Sequence, residues 1–261
     1  MATPEQIYAG DFTKLATYYS KYRPGYSETV VDGILEIMNQ PITNVEFVDV
    51  GAGTGIWTRQ FAKRACKVVI AIEPNDRMRQ EGMQTGKELG ITWLAGSAEK
   101  TLLESNSADL VTMASSFHWA DFDLATREFY RILKPNGYFV ILWNPRYLEN
   151  NVLLQEIEDH IYQLKPDIRR ISSGKSKHVD QLANQLLQCS LFENGTYLEG
   201  FHTISLSSEE YLGAWKSVND IRVQLGEIKF CEFIKFVEDK IKLHQTISCT
   251  YQTRAWIVKR K

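Results

Sequence analysis

The chain of 261 residues has no net charge to speak of in either sense: 30 lysines and arginines face 32 aspartates and glutamates, and the pI lies near 6.2. Such a balance offers no general attraction to nucleic acid or to an anionic membrane, so neither is expected as a partner. Paired cysteines are missing too. Cys66, Cys189, Cys231 and Cys249 are scattered with no C-x-x-C among them, which excludes a zinc ribbon or a disulfide framework and points to no metal site and a reducing cytoplasm. Long apolar runs are absent, the longest being Tyr138 to Trp143, which is strand-sized. The first eleven residues contain Glu5 and Asp11 but no basic stretch before an apolar one, so no secretory leader is expected. There is no internal repeat and no low-complexity tract.

What remains is a rhythm. Short β-branched runs at Val45–Val50, Lys67–Ile72, Ile91–Leu94, Asp109–Met113 and Tyr138–Trp143 alternate with amphipathic stretches. That pattern predicts a parallel sheet covered by helices on both faces. Ser27 and Asn75 stand where helix caps belong, and Lys134-Pro135-Asn136-Gly137 reads as a turn. The second half is less regular, with helices expected at 151–164, 179–188, 208–218 and 227–244. Gly195 and Gly200 bracket strand-like residues, and 246–258 alternates as a long last strand. Arg169, Arg170, Lys175 and Lys177 fall in a polar stretch, 166–178, read as a solvated loop.

The chemistry concentrates at Val48-Asp49-Val50-Gly51-Ala52-Gly53-Thr54-Gly55. Glycines let a backbone turn sharply from strand to helix and approach a ligand closely. The third glycine follows the second by two residues, whereas a dinucleotide fingerprint needs it at Ile56. Asp49, next to the end of the strand, is an acid, which repels a phosphate and suits a ligand carrying an ammonium group.

On these residues the chain resembles the class I methyltransferases, in particular the group containing trans-aconitate and ubiquinone-biosynthesis-type enzymes (methyltransferase type 11). The resemblance implies a Rossmann-like, seven-stranded, mostly parallel sheet with helices on both faces, an antiparallel last strand and an N-terminal helical lid. It implies S-adenosyl-L-methionine as cofactor, with Gly51, Ala52 and Gly53 against its methionine part. Glu73 would grip the ribose hydroxyls, and Pro74 and Met78 would follow it toward the adenine. Ser97, Ala98 and Glu99 resemble the family's G-D-A-E segment, with serine in place of aspartate. Tyr18-Tyr19-Ser20-Lys21-Tyr22-Arg23-Pro24-Gly25-Tyr26 resembles its Y-x-x-x-R-P-x-Y lid, in which Tyr19 and Arg23 reach the cofactor carboxylate and Tyr22 and Tyr26 close the substrate side.

The segment after the fourth strand, Ala114-Ser115-Ser116-Phe117-His118-Trp119, should face the transferred methyl, since ligands in open parallel sheets lie beyond the strands' C-terminal ends. It is not N-P-P-Y. Ser115 is expected at the cofactor, Trp119 at the substrate, and His118 either as general base or as a pocket wall. The expected reaction is methyl transfer to an oxygen or nitrogen of a small-molecule acceptor, carboxylates included, by a monomer or homodimer. An NAD-dependent oxidoreductase and a methyltransferase-like partner protein without turnover are the competing readings. One domain is expected over 1–261: a lid at 1–40, a cofactor core at 41–145, substrate-side helices at 146–245 and the final strand at 246–261.

Overall fold

The computed structural model describes residue 11 and residues 13–149, 151–170 and 174–261. The first ten residues of the expected lid and 171–173 of the expected loop lie outside them. Among the described residues the sheet has eight strands: β1 (Glu46–Val50), β2 (Val68–Ile72), β3 (Thr92–Leu94), β4 (Ala108–Ala114), β5 (Leu133–Trp143), β6 (Arg146–Tyr147), β7 (Phe192–Leu206) and β8 (Ile247–Arg260). Their order is β3-β2-β1-β4-β5-β8, with β6 and β7 both paired to β8. The first five strands run parallel, and β8 returns antiparallel to β5. One strand more than expected is present because Arg146 and Tyr147 pair with Tyr251 and Thr250, ahead of the stretch of β8 that pairs with β5.

Nine α-helices are described: α1 (Ala16–Tyr22), α2 (Glu28–Met38), α3 (Ile56–Ala62), α4 (Asp76–Thr85), α5 (Phe122–Ile132), α6 (Val152–Leu164), α7 (Lys177–Leu187), α8 (Ser208–Lys216) and α9 (Asn219–Ile241). Gly226 breaks the helical conformation inside α9, at φ 73° and ψ 164°. Asn75 caps α4 by accepting from Arg77 and Met78. Ser27 does not cap α2 through its side chain; its backbone N–H donates instead to Thr253 Oγ1 at 2.8 Å.

Strand alternation decides what lies on each face. Val48, Val50, Val111, Met113, Phe139 and Ile141 pack under α5 and α7. Phe47, Leu110, Val140 and Leu142 pack under α2 and α3, so the parallel strands are buried on both sides. A further apolar cluster joins α6, α8 and α9 to Ile247, Cys249 and Tyr251 of β8. The long β7 is exposed along much of its length, with Phe192, Gly200 and Leu206 buried. That thin hydrophobic periodicity explains why only its middle reads as strand in the sequence. The expected turn at 134–137 is carried within β5, and Asn136 supplies the positive φ of 68°.

Candidate active site

The strand order reverses between β1 and β4, and the loops leaving those two strands meet there, as expected for a ligand crevice in an open α/β sheet. Gly51, Gly53 and Gly55 have φ of 64°, 58° and 75°, a region costly for any residue with a Cβ. At Gly51 a second constraint applies. A Cβ there would lie 2.8 Å from the side chain of Ser116, whose hydroxyl donates to the Val50 carbonyl at 3.2 Å. The β1 and β4 loops are therefore in direct contact through a residue pair that tolerates only glycine on one side.

Glu73, at the end of β2, ties the glycine loop to the next one. Its Oε2 accepts from the Gly53 N–H and its Oε1 from the Asn75 N–H, both at 2.8 Å. Burial raises its pKa, while the two backbone donors and Arg79 act in the opposite direction. Each oxygen has accepted one bond and has capacity for another. The Met78 methyl stands close to Gly53, 3.4 Å from where a Cβ would be, and Pro74 is exposed beside it. Across from these, Ser97 and Lys100 exchange backbone hydrogen bonds, closing the loop that carries the buried Ala98. Glu99 is engaged structurally: it accepts from the Asp121 N–H at 2.9 Å and braces the start of α5.

Asp49 is placed otherwise than expected. Its strand parity is that of Phe47, so the carboxylate lies under α3, fully buried, accepting from Thr58 at 2.5 Å and Thr112 at 3.2 Å. Burial pushes its pKa up to about 7, partly offset by the two threonines. An open acceptor for a ligand's ammonium group is therefore not what Asp49 presents; it joins β1, β4 and α3.

The segment expected as a lid joins the loop after β2 to the end of α8. Asn75 donates to Thr13 at 2.9 Å at one end of it, and at the other Arg23 Nε donates to Ser217 Oγ at 2.8 Å, just after α8. Tyr19 and Arg23 do come together, with the guanidinium 5.1 Å from the ring centroid. Tyr22 does not face the substrate side, which corrects that expectation. Its hydroxyl donates to the exposed Glu209 at 2.7 Å, and its ring covers Gly213, whose Cβ position would be 2.4 Å away. Tyr26 turns inward: its hydroxyl donates to Ser115 at 3.0 Å and its ring packs edge-on against Trp57. Gln60 holds the Tyr26 backbone at both its N–H and its carbonyl.

His118 is buried beside Trp119, at 4.5 Å between rings. The Trp143 indole N–H donates to Nδ1 at 3.3 Å, which assigns the proton to Nε2, a buried atom with no partner of its own. Burial drives the imidazole pKa down to about 3, with His178 pushing the same way. With its accepting nitrogen engaged by Trp143 and its basicity lowered by burial, the His118 ring fits the pocket-wall expectation better than the general-base one. Sequence reasoning missed Ser116, Gln60 and Trp143. Trp143 ends β5 and so was findable by its position; the other two carry no local signal. Among the described residues no group of three His, Cys, Asp or Glu is placed to hold a metal ion.

A family model described as a methyltransferase domain matches residues 48–141. A methyltransferase-like protein of Schizosaccharomyces pombe, described as uncharacterized, is 34% identical over 142 residues, 54% of each chain. An uncharacterized methyltransferase of Mycobacterium tuberculosis is 34% identical over 128 residues, 49% of each. The chain thus spans about half the length of the curated relatives it matches. Among solved structures, a chain from Anaeromyxobacter dehalogenans described as a candidate type II methyltransferase superposes with a TM-score of 0.65 at 17% identity, covering 91% of this chain and 98% of that one. By the shared architecture the chain has a Rossmann-like methyltransferase fold, and residues 48–141 of it match the methyltransferase-domain model.

Proposed function

We propose that this chain binds S-adenosylmethionine across the ends of β1, β2 and β3 and transfers its methyl group to an oxygen or nitrogen of a small-molecule acceptor, a carboxylate being the favoured class. The observation that carries the reading is Glu73. It sits at the end of β2 with a carboxylate fixed by two backbone N–H groups, one of them from the glycine loop, and with acceptor capacity left for a vicinal diol. The residues around it fit the cofactor. Gly51, Ala52 and Gly53 would lie along the methionine part, Met78 and the 97–99 loop beside the adenine, and Ser115 near the sulfur.

When bound, the cofactor supplies a methyl group on a positively charged sulfur, which leaves with the electron pair of the broken carbon–sulfur bond. The chain's contribution is placement and dryness. Tyr26 and Ser115 fix the floor of the crevice, α1 spans its mouth, and the Trp143 bond holds the His118 ring in one orientation with Nε2–H as a donor. Because the Trp143 N–H engages the accepting nitrogen of His118 and burial lowers its basicity, an acceptor that arrives already ionised is favoured over one that must lose a proton. A carboxylate needs no base.

Calorimetric titration with S-adenosylhomocysteine tests the central claim. The expected result is micromolar binding, weakened at least tenfold by Glu73→Ala; no binding to the unaltered protein would overturn it.

A further inference from the structure

Gly25, Tyr26 and Ser27 lie between α1 and α2 in neither helix nor strand, yet four successive backbone groups there are held by side chains. The Gly25 carbonyl accepts from Asn144 at 2.8 Å, and the Ser27 N–H donates to Thr253 at 2.8 Å. Thr253 in turn donates to Asn144 at 2.7 Å. Between these two points stands Gln60 of α3, which accepts from the Tyr26 N–H at 2.9 Å and donates to the Tyr26 carbonyl at 3.0 Å. A side-chain amide matches a peptide at both its donor and its acceptor, so Gln60 fixes the orientation of Tyr26 itself. Backbone groups of a loop ordinarily turn to water or to a turn of their own. Here α3, β8 and the chain after β5 hold them instead.

The side chain so fixed is aimed at Ser115. Trp57 packs edge-on against the Tyr26 ring, with 5.1 Å between centroids, and is tied by its indole N–H to Thr112 at 3.0 Å. The Tyr26 hydroxyl donates to Ser115 Oγ at 3.0 Å, and burial holds the phenol above its ordinary pKa, so it stays a donor. Ser115 has a φ of 54°, a region that residues with a Cβ seldom adopt and keep only where their surroundings impose it. Its N–H donates to the Leu142 carbonyl at 2.7 Å. Both hydroxyl oxygens retain lone-pair capacity beyond the bond between them. Two neutral oxygens are thus set at the end of β4, beside the point where the strand order reverses.

S-adenosylmethionine and S-adenosylhomocysteine differ by one methyl and one positive charge, both at the sulfur. The acids of the site are engaged elsewhere: Asp49 accepts from two threonines beneath α3, and Glu73 from two backbone N–H groups at the end of β2. The His118 Nδ1 accepts from Trp143. What the β4 side can turn toward a sulfonium is the lone pairs of Tyr26 and Ser115. We propose that Gln60 is a positioning residue: by clamping the Tyr26 peptide it holds the Tyr26–Ser115 hydroxyl pair against the sulfonium and shifts the site's preference from the spent cofactor toward the methyl-bearing one. The inference rests on the methyltransferase reading and deepens it, since it assigns the discrimination between cofactor and product to a side chain on the helix that follows the glycine loop. Attraction between a dipole and a charge falls steeply with distance, so a displacement of about 1 Å at Tyr26 is enough to weaken it.

Calorimetric titration of the full chain with S-adenosylmethionine and, separately, with S-adenosylhomocysteine tests it. In Gln60→Ala the affinity for S-adenosylmethionine is expected to fall about fivefold, by the loss of roughly one hydrogen bond's worth of interaction, while that for S-adenosylhomocysteine stays within twofold. Tyr26→Phe, which leaves every backbone bond of the segment in place, should give the same change in the ratio. In the double variant the ratio should fall no further, because Gln60 acts through the hydroxyl that is already missing. A merely structural role for Gln60 would weaken both ligands alike, and that result overturns the proposal. So does an unchanged ratio in Tyr26→Phe, which decides the matter even if Gln60→Ala does not fold, and so does a further, additive fall in the double variant. Absence of binding of either ligand to the unaltered protein is separately visible, and it overturns the methyltransferase reading itself.

Discussion

The Trp143 indole N–H donates to Nδ1 of His118 across 3.3 Å, inside a buried contact between the end of β5 and the turn after β4. The bond decides the histidine's chemistry. It occupies the one nitrogen that could accept a proton and leaves a donor on the other.

A consequence follows for stability. The folded-state pKa of His118 lies near 3 and the unfolded one at about 6.5, so between those values the unfolded chain binds a proton that the folded chain refuses. Stability from this group is full above about pH 6.5 and is lost as pH falls, by about 2 kcal/mol at pH 5. Urea unfolding of the unaltered protein and of His118→Gln at pH 7 and pH 5 checks it. The gap in stability between the two proteins should narrow by about that amount at the lower pH; an unchanged gap would refute the neutral, buried ring.

Asp49 works in the opposite sense. Its folded pKa is raised to about 7 from about 3.9 unfolded, so the folded chain keeps a proton that the unfolded chain gives up, and stability falls as pH rises through that window. Asp49→Asn cannot ionise and can still accept from one threonine. Relative to the unaltered protein it should gain roughly 2 kcal/mol between pH 5 and pH 8, measured by the same unfolding series. A gain that is absent or reversed would mean that Asp49 is held as the anion.

At the meeting of the two loops, Gly51→Ala should cost about 2 kcal/mol, through its positive φ and its collision with Ser116. Ser116→Gly in the same chain should restore about half of that, because it removes the collision and leaves the backbone strain. Thermal unfolding of the four proteins in the cycle gives the coupling. Strict additivity would show that the two loops do not touch.

Tyr22 and Tyr26, four residues apart, should respond differently. Tyr22→Phe loses an exposed bond to Glu209, so stability should change by less than about 0.5 kcal/mol and methyl transfer not at all. Tyr26→Phe breaks the bond to Ser115 at the crevice floor, and turnover should fall severalfold. Equal effects in a labelled-cofactor assay would overturn the placement of the lid.

Much of this was legible in the linear chain because it depends on local rules. The glycine spacing at 51, 53 and 55 and the acid after the second apolar run mark where a strand must turn beneath a ligand. The βα rhythm up to Trp143 requires a parallel sheet. Asn75 could be read as a cap, since its side chain need reach only two and three residues ahead. What the tertiary structure decided is the direction in which side chains point and what neutralises them. Asp49 sits one residue before the strand's end, and the face it joins is set by which helix covers that side of the sheet. Tyr22 and Tyr26 occur in the same motif, but Tyr22 ends α1 while Tyr26 lies in the non-helical segment that follows it, so one covers Gly213 and the other meets Ser115. His118 is a base or a spectator according to a tryptophan 25 residues further on. Gln60 carries no signal in its own neighbourhood, because a side-chain amide becomes a clamp only once the fold has brought a peptide group 34 residues away against it.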